Sequence, residues 1–220
     1  MRLLHVIATP RGATSNTLRI SAIFLSTLAQ QRPDLTVDSL DLFRAELPSL
    51  SRENAATKYT LMHGDPLDHR HRASWRPIER LVSRFLAADA YLVSTPMWNL
   101  SIPYVLKYYL DCIVQPGYTF RYGADGAVEP LVLDRPMVCV TSRGGDYSAG
   151  GPMAALDFQE PYLRTIFGFI GITDLAFVSL QSTDIPPLRQ AGFDTAVRVA
   201  REVACSPAWG GAALSTAVAS

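Results

Sequence analysis

An α/β fold, a three-layer sandwich on a five-stranded parallel sheet with a small β-hairpin excursion, is what the sequence predicts. Five short runs rich in Val, Ile and Leu recur along the chain, and helical patterns separate most of them. Parallel neighbours need crossover connections, normally helices, so this alternation implies a sheet covered on both faces. The chain has 220 residues, enough for one substantial core and short for two full-sized domains.

The first run, Leu3 to Ala8, follows Met1-Arg2 like the start of a signal peptide, but it meets Pro10-Arg11-Gly12 too soon. It reads as a buried first strand. A helical pattern covers Thr17 to Gln31, and Leu35 to Leu42 supplies the second strand. Ser51 to Trp75 is polar, carries Asp65-Pro66-Leu67-Asp68-His69-Arg70-His71-Arg72, and fits a surface excursion better than a core element. A helix over Ile78 to Ala88 leads into a strand at Ala90 to Ser94, and Pro103 to Cys112 is the next helix. Gly117 to Tyr122, the turn Gly123-Ala124-Asp125-Gly126 and Val128 to Val132 form the hairpin. The strand Pro136 to Thr141, helix Phe158 to Phe169, strand Asp174 to Leu180 and helix Pro186 to Val203 complete the series. A single domain over residues 1–205 is expected, with the Ala, Gly and Ser-rich Ser206 to Ser220 as a frayed tail.

Composition narrows the function classes. Lys plus Arg and Asp plus Glu number 20 each, so no global field favours nucleic acid or anionic lipid. No run reaches the roughly 18 apolar residues of a membrane span. Cys112, Cys139 and Cys205 are odd in number and widely spaced, which argues against a disulfide frame or zinc site and for packing roles. A soluble, cytoplasmic protein is expected.

In open parallel sheets the ligand sits outside the carboxyl ends of the strands. Three such exits share one character: Thr9-Pro10-Arg11-Gly12-Ala13-Thr14-Ser15-Asn16-Thr17, Ser94-Thr95-Pro96-Met97-Trp98-Asn99, and Thr141-Ser142-Arg143-Gly144-Gly145. Hydroxyls, amides and bare backbone dominate them and carboxylates are missing. At the first exit Thr9, Ser15, Asn16 and Thr17 could join free N–H groups around a phosphate; in isolation Ser15 or Asn16 would more often be a plain helix cap. The exit lacks Gly-x-Gly-x-x-Gly and Gly-Lys-Ser, which disfavours dinucleotide and Walker sites. Met97, Trp98 and Asn99 suit a flat heteroaromatic ring with a polar edge. Ser142 and the N–H groups of Gly144 and Gly145 could reach that ring's carbonyl oxygens. Singly, Met-Trp is more often core and Gly-Gly a plain turn. Arg11 and Arg143 border the exits, either contacting phosphate or a pyridine nucleotide or standing as surface arginines.

On these exits, Gly117-Tyr118-Thr119-Phe120-Arg121-Tyr122, and Pro161-Tyr162-Leu163 with Gly168-Phe169-Ile170-Gly171-Ile172, the chain from about Leu3 to Leu180 resembles the FMN-dependent NADH-azoreductase and NAD(P)H quinone reductase family of flavodoxin-like fold. The resemblance implies FMN, its phosphate on Thr9, Ser15, Asn16 and Thr17, and its isoalloxazine lined by Pro96, Met97, Trp98, Asn99, Leu100, Ser142, Arg143, Gly144 and Gly145. It further implies NADH or NADPH as donor, a quinone or azo compound as acceptor, ping-pong two-electron transfer, and a homodimer with the sites at its interface. No catalytic side chain is expected, because the cofactor carries the hard chemistry. The chain departs from the family at Trp98 and Leu100, where tyrosine and phenylalanine are common, and at Thr9, where serine is.

Three other classes fit less well. A flavodoxin-type electron carrier shares the fold and cofactor but is usually strongly acidic, unlike this chain. A serine hydrolase on Asp146-Tyr147-Ser148-Ala149-Gly150 lacks the first glycine of the nucleophile elbow and any later histidine. Asp65, Asp68, His69 and His71 match no strong metal spacing.

Overall fold

The structure, a computed structural model, describes residues 1–210. Five parallel strands form the sheet: β1 (Arg2–Ile7), β2 (Thr36–Asp41), β3 (Ala90–Pro96), and two later ones, Met137–Ser142 and Leu175–Leu180. Between these groups a short antiparallel pair, β4 (Phe120–Tyr122) and β5 (Val128–Pro130), forms the hairpin, so the last two sheet strands are β6 and β7. The spatial order is β2-β1-β3-β6-β7. Chain order reverses direction at β1 and β3, which opens a crevice above their carboxyl ends.

Alternation along each strand sorts side chains to two faces. Leu3 of β1, Ala90 and Leu92 of β3, and Val138 and Val140 of β6 pack with helices α1 (Asn16–Gln31) and α6 (Pro186–Ala204), the last α-helix among the described residues. Their neighbours Leu4, Val6, Tyr91, Val93, Met137 and Cys139 face the opposite way. There they meet Phe85 of α3 (His69–Leu86), Leu106 and Leu110 of α4 (Tyr104–Ile113), and Leu163 and Phe167 of α5 (Glu160–Ile170). The three-layer sandwich follows from that two-residue period.

Three expectations need correction. Ser51 to Trp75 is helical rather than a surface excursion: it holds α2 (Arg52–Met62) and the first turns of α3, which begins at His69 rather than Ile78. Trp75 is buried with Ile78 and Val82 in a cluster of its own. The polar residues that hid this segment are satisfied internally. Ser51 and Asn54 make a reciprocal capping box, Asn54 Nδ2 donates to Ser74 O at 3.0 Å, and Thr57 Oγ1 donates to Glu53 O at 3.0 Å. Asp68 caps α3 by accepting from the His71 N–H at 2.8 Å. Cys112 and Cys139 are buried but Cys205 is exposed, so it is no packing residue. The packed chain also runs past residue 205, because Trp209 is buried edge-on against Phe24, with ring centroids 4.9 Å apart. Residues 211–220 of the expected tail lie outside the described residues. Among the described residues no helix is long and apolar enough to cross a membrane.

Candidate active site

The exits of β1, β3 and β6 are neighbours because their strands are. Ile7 pairs with Ser94 and Pro96 with Ser142, and the ladder continues past the strand ends: Ala8 N donates to Ser94 O and Met97 N to Ser142 O, each at 2.8 Å.

At the first exit, Gly12 at φ +52° starts a single 3-10 turn, Gly12–Thr14, which brings the chain into α1. Thr9, Ser15 and Thr17 are 3 %, 2 % and 0 % exposed. Their hydroxyls form a chain, Thr9 Oγ1 to Ser15 Oγ at 3.2 Å and Ser15 Oγ to Thr17 Oγ1 at 2.7 Å. Ser15 is only a weak cap, since the Leu18 N–H reaches its Oγ at 3.5 Å. Among the described residues the N–H groups of Asn16 and Thr17 meet no protein acceptor. Buried hydroxyls beside open helix N–H groups are the kind of donor set that can receive an anion.

At the second exit, Trp98 and Ser101 exchange both backbone hydrogen bonds, at 2.9 and 3.0 Å. The two residues between them, Asn99 (φ +46°) and Leu100 (φ +72°), are left-handed, as a two-residue primed turn demands. Asparagine tolerates this region; leucine is strained in it. The turn presents the half-exposed Trp98 ring, whose centroid lies 5.9 Å from that of Phe43 and 6.5 Å from that of Tyr104. Trp98, Asn99, Ser101, Tyr104 and Tyr162 are among the walls of an open cleft of about 500 Å³, a size that suits a flat aromatic ligand.

The third exit holds a surprise. Arg143 is neither a surface residue nor free to meet a ligand: its side chain is 1 % exposed, with Nη1 2.7 Å from Asp157 Oδ2, Nη2 3.5 Å from Glu160 Oε2, and Nε donating to Gln159 Oε1 at 3.3 Å. Gln159 Nε2 in turn donates to Pro96 O at 2.9 Å. The start of α5 thus ties the second and third exits together. Gly144 and Gly145 accept from Asp184 N and Ser182 N at 3.1 and 2.9 Å, while among the described residues their own N–H groups meet no protein acceptor.

The sequence reading therefore located the exits but missed Asp157, Gln159 and Asp184, which support them. Asp184 comes from a fourth exit, after β7, and its carboxylate lies against Gly144, so the site is not without acid. The signal for Asp157 and Gln159 was faint: a polar triplet, Asp157, Gln159 and Glu160, just ahead of Pro161 and an apolar helix.

The chain as a whole is similar to known proteins. A family model described as a flavodoxin-like fold matches residues 1–204. An FMN-dependent NADH:quinone oxidoreductase of Nitratidesulfovibrio vulgaris (strain DP4) is 39% identical over 204 residues, which cover 92% of this chain and 97% of the relative. FMN-dependent NADH:quinone oxidoreductase 1 of Bradyrhizobium diazoefficiens is 38% identical over 205 residues, covering 92% and 98%. The crystal structure of an azoreductase from Bacillus anthracis superposes with a TM-score of 0.83 at 28% identity, covering 93% of this chain and 98% of that one. The chain belongs to the flavodoxin-like family of FMN-dependent NADH:quinone oxidoreductases.

Proposed function

We propose that the protein is an FMN-dependent oxidoreductase that draws electrons from NADH or NADPH and reduces quinones and azo compounds. The single observation that carries the cofactor is the turn after β1, where three buried, mutually hydrogen-bonded hydroxyls lie beside two open N–H groups at the start of α1. Its chemistry fits a phosphomonoester, and the exits beside it have room for a ring.

When bound, FMN supplies the redox chemistry, taking a hydride from the nicotinamide and giving two electrons to the acceptor. The chain's own residues bind and orient. Thr9, Ser15, Asn16 and Thr17 hold the phosphate, and the strained turn at Asn99 and Leu100 sets the height of the Trp98 ring over the cleft. The open N–H groups of Gly144 and Gly145 stand ready to stabilise negative charge on an adjacent carbonyl oxygen. Arg143 acts from beneath by locking the exits, so nothing rearranges when charge develops. Tyr104 at 70 % and Phe158 at 58 % exposed, with the Tyr104 ring 6.5 Å from that of Trp98 and the Phe158 N–H donating to Leu100 O, leave an apolar rim that a second copy of the chain would cover, which supports the homodimer as the working form.

Absorption of the purified protein with added FMN tests this reading, together with oxidation of NADH coupled to a benzoquinone. A colourless protein without FMN-dependent turnover ends it, whereas flavin without turnover on small acceptors leaves an electron carrier.

A further inference from the structure

Helices α2, α3 and α4 leave a cavity of about 250 Å³ between them, and none of the residues at the three strand exits lines it. Gln115, just past the end of α4, is the wall that asks for an occupant. It is 1 % exposed, and its Oε1 has no hydrogen-bond partner among the described residues. The side chain is not free to correct this. Its Nε2 donates to Asp111 O at 2.6 Å, so turning the amide over would set two oxygens against each other. The backbone is held as well: Gln115 N donates to Thr119 Oγ1 at 3.0 Å, and Thr119 N donates to Gln115 O at 3.1 Å. A buried acceptor left unpaired is costly, and a donor brought in by a ligand removes that cost.

Lys58 of α2 gives the cavity its charge. It is half-buried in the wall, and among the described residues no ion pair or hydrogen bond holds its ammonium. The acid nearby is already engaged, since Asp111 Oδ1 accepts from Lys107 Nζ at 2.5 Å. Burial pushes the Lys58 pKa down, against the pull of Asp111 and with a further push from Lys107. An incoming carboxylate restores to the ammonium part of the stabilisation that burial removed. Leu50, Ala55 and the Trp75 indole complete an apolar side. A dry cavity of about 150 Å³ takes benzene, so this one has room for a single ring with its substituents.

We propose that this cavity is an accessory binding site for a monocyclic aromatic hydroxy acid, with its carboxylate on Lys58, its hydroxyl donating to Gln115 Oε1 and its ring against Leu50, Ala55 and Trp75. The inference goes beyond the redox function proposed above and does not depend on it, because it uses none of the residues given to the flavin.

Calorimetry on the full chain, with and without added FMN, tests this with 3-hydroxybenzoate as the probe. The acid should bind at a single site with the same constant in both cases. Benzoate, which lacks the donor, should bind about fivefold more weakly, and 3-hydroxybenzyl alcohol, which lacks the charge, about tenfold more weakly. Lys58→Met should weaken 3-hydroxybenzoate about tenfold and leave 3-hydroxybenzyl alcohol unchanged. Gln115→Met should bring 3-hydroxybenzoate down to the level of benzoate in the same variant. Thermal melts show whether each variant folds; if Gln115→Met does not, the benzoate comparison and Lys58→Met decide. No binding to the parent, equal binding of benzoate, an unchanged constant in Lys58→Met, or loss of the acid once FMN is bound would each overturn the proposal, the last by placing the acid at the strand exits. Failure of the redox reading looks different, because a parent protein that holds no flavin would still bind 3-hydroxybenzoate.

Discussion

Arg143 Nη1 stands 2.7 Å from Asp157 Oδ2 with its guanidinium withdrawn from solvent, and this pair joins the exit of β6 to the start of α5. Asp157 does double duty there, since its Oδ1 accepts from the N–H groups of Gln159 and Glu160 at 2.9 and 3.1 Å. Such a pair positions backbone more than it adds stability, because desolvating both charges offsets most of their attraction.

Breaking it is another matter. Arg143→Ala leaves Asp157 facing a void and is expected to cost about 3 kcal/mol, measured by urea unfolding. The double variant with Asp157→Ala should cost clearly less than the sum of the two single changes. Strict additivity would show that the two side chains do not depend on each other.

Ser15→Ala separates binding from folding. Its cap bond to the Leu18 N–H is long, at 3.5 Å, so stability should fall by no more than about 1 kcal/mol. Removing a buried donor from the phosphate should raise the FMN dissociation constant about tenfold, read by flavin fluorescence against apoprotein. An unchanged constant would remove Ser15 from the proposed phosphate site.

Leu100 at φ +72° tests the strained turn. Leu100→Asn should be within about 0.5 kcal/mol of the parent, since asparagine enters this region readily. Leu100→Val should lose about 1 to 3 kcal/mol, because a β-branched side chain is forced into the same conformation. Thermal melts of the two variants should thus diverge; equal melting points would mean that the turn relaxes.

The buried His5 gives the protein an acid limit. His5 is 5 % exposed, its Nε2 lies 2.7 Å from Ser94 Oγ, and burial lowers its pKa from 6.5 to about 4. Between those values the unfolded chain binds a proton that the folded chain refuses, so stability falls as pH drops from about 6.5 to 4, by roughly 3 kcal/mol. Above pH 6.5 this contribution is flat. Urea unfolding across that window measures the slope, and His5→Gln should remove this part of it.

The strands and the helices between most of them were legible because they show as short-range pattern: continuous apolar runs such as β1, β3 and β6, separated by helical periodicity, imply a parallel sheet covered on both faces. The helical pair α2 and α3 was not. Its buried Asn54 and Thr57 look solvent-loving in a sequence, and only the capping box, the Ser74 carbonyl and the Glu53 carbonyl reveal that their polar groups are satisfied. The three exits were legible as composition. Arg143 was misjudged for a related reason: an arginine in a glycine turn reads as exposed until its partners 14 and 17 residues away are known.

By itself, the sequence determined the five-stranded α/β sandwich and the hydroxyl-rich turn after the first strand, since both follow from local periodicity and from side chains adjacent along the chain. Only the tertiary structure decided which charges meet. Arg143 turns inward to Asp157, while Lys58 lines one cavity with Asp111 and Gln115. Electrostatic pairing depends on distance in space and on burial, and neither can be read from separation along a chain.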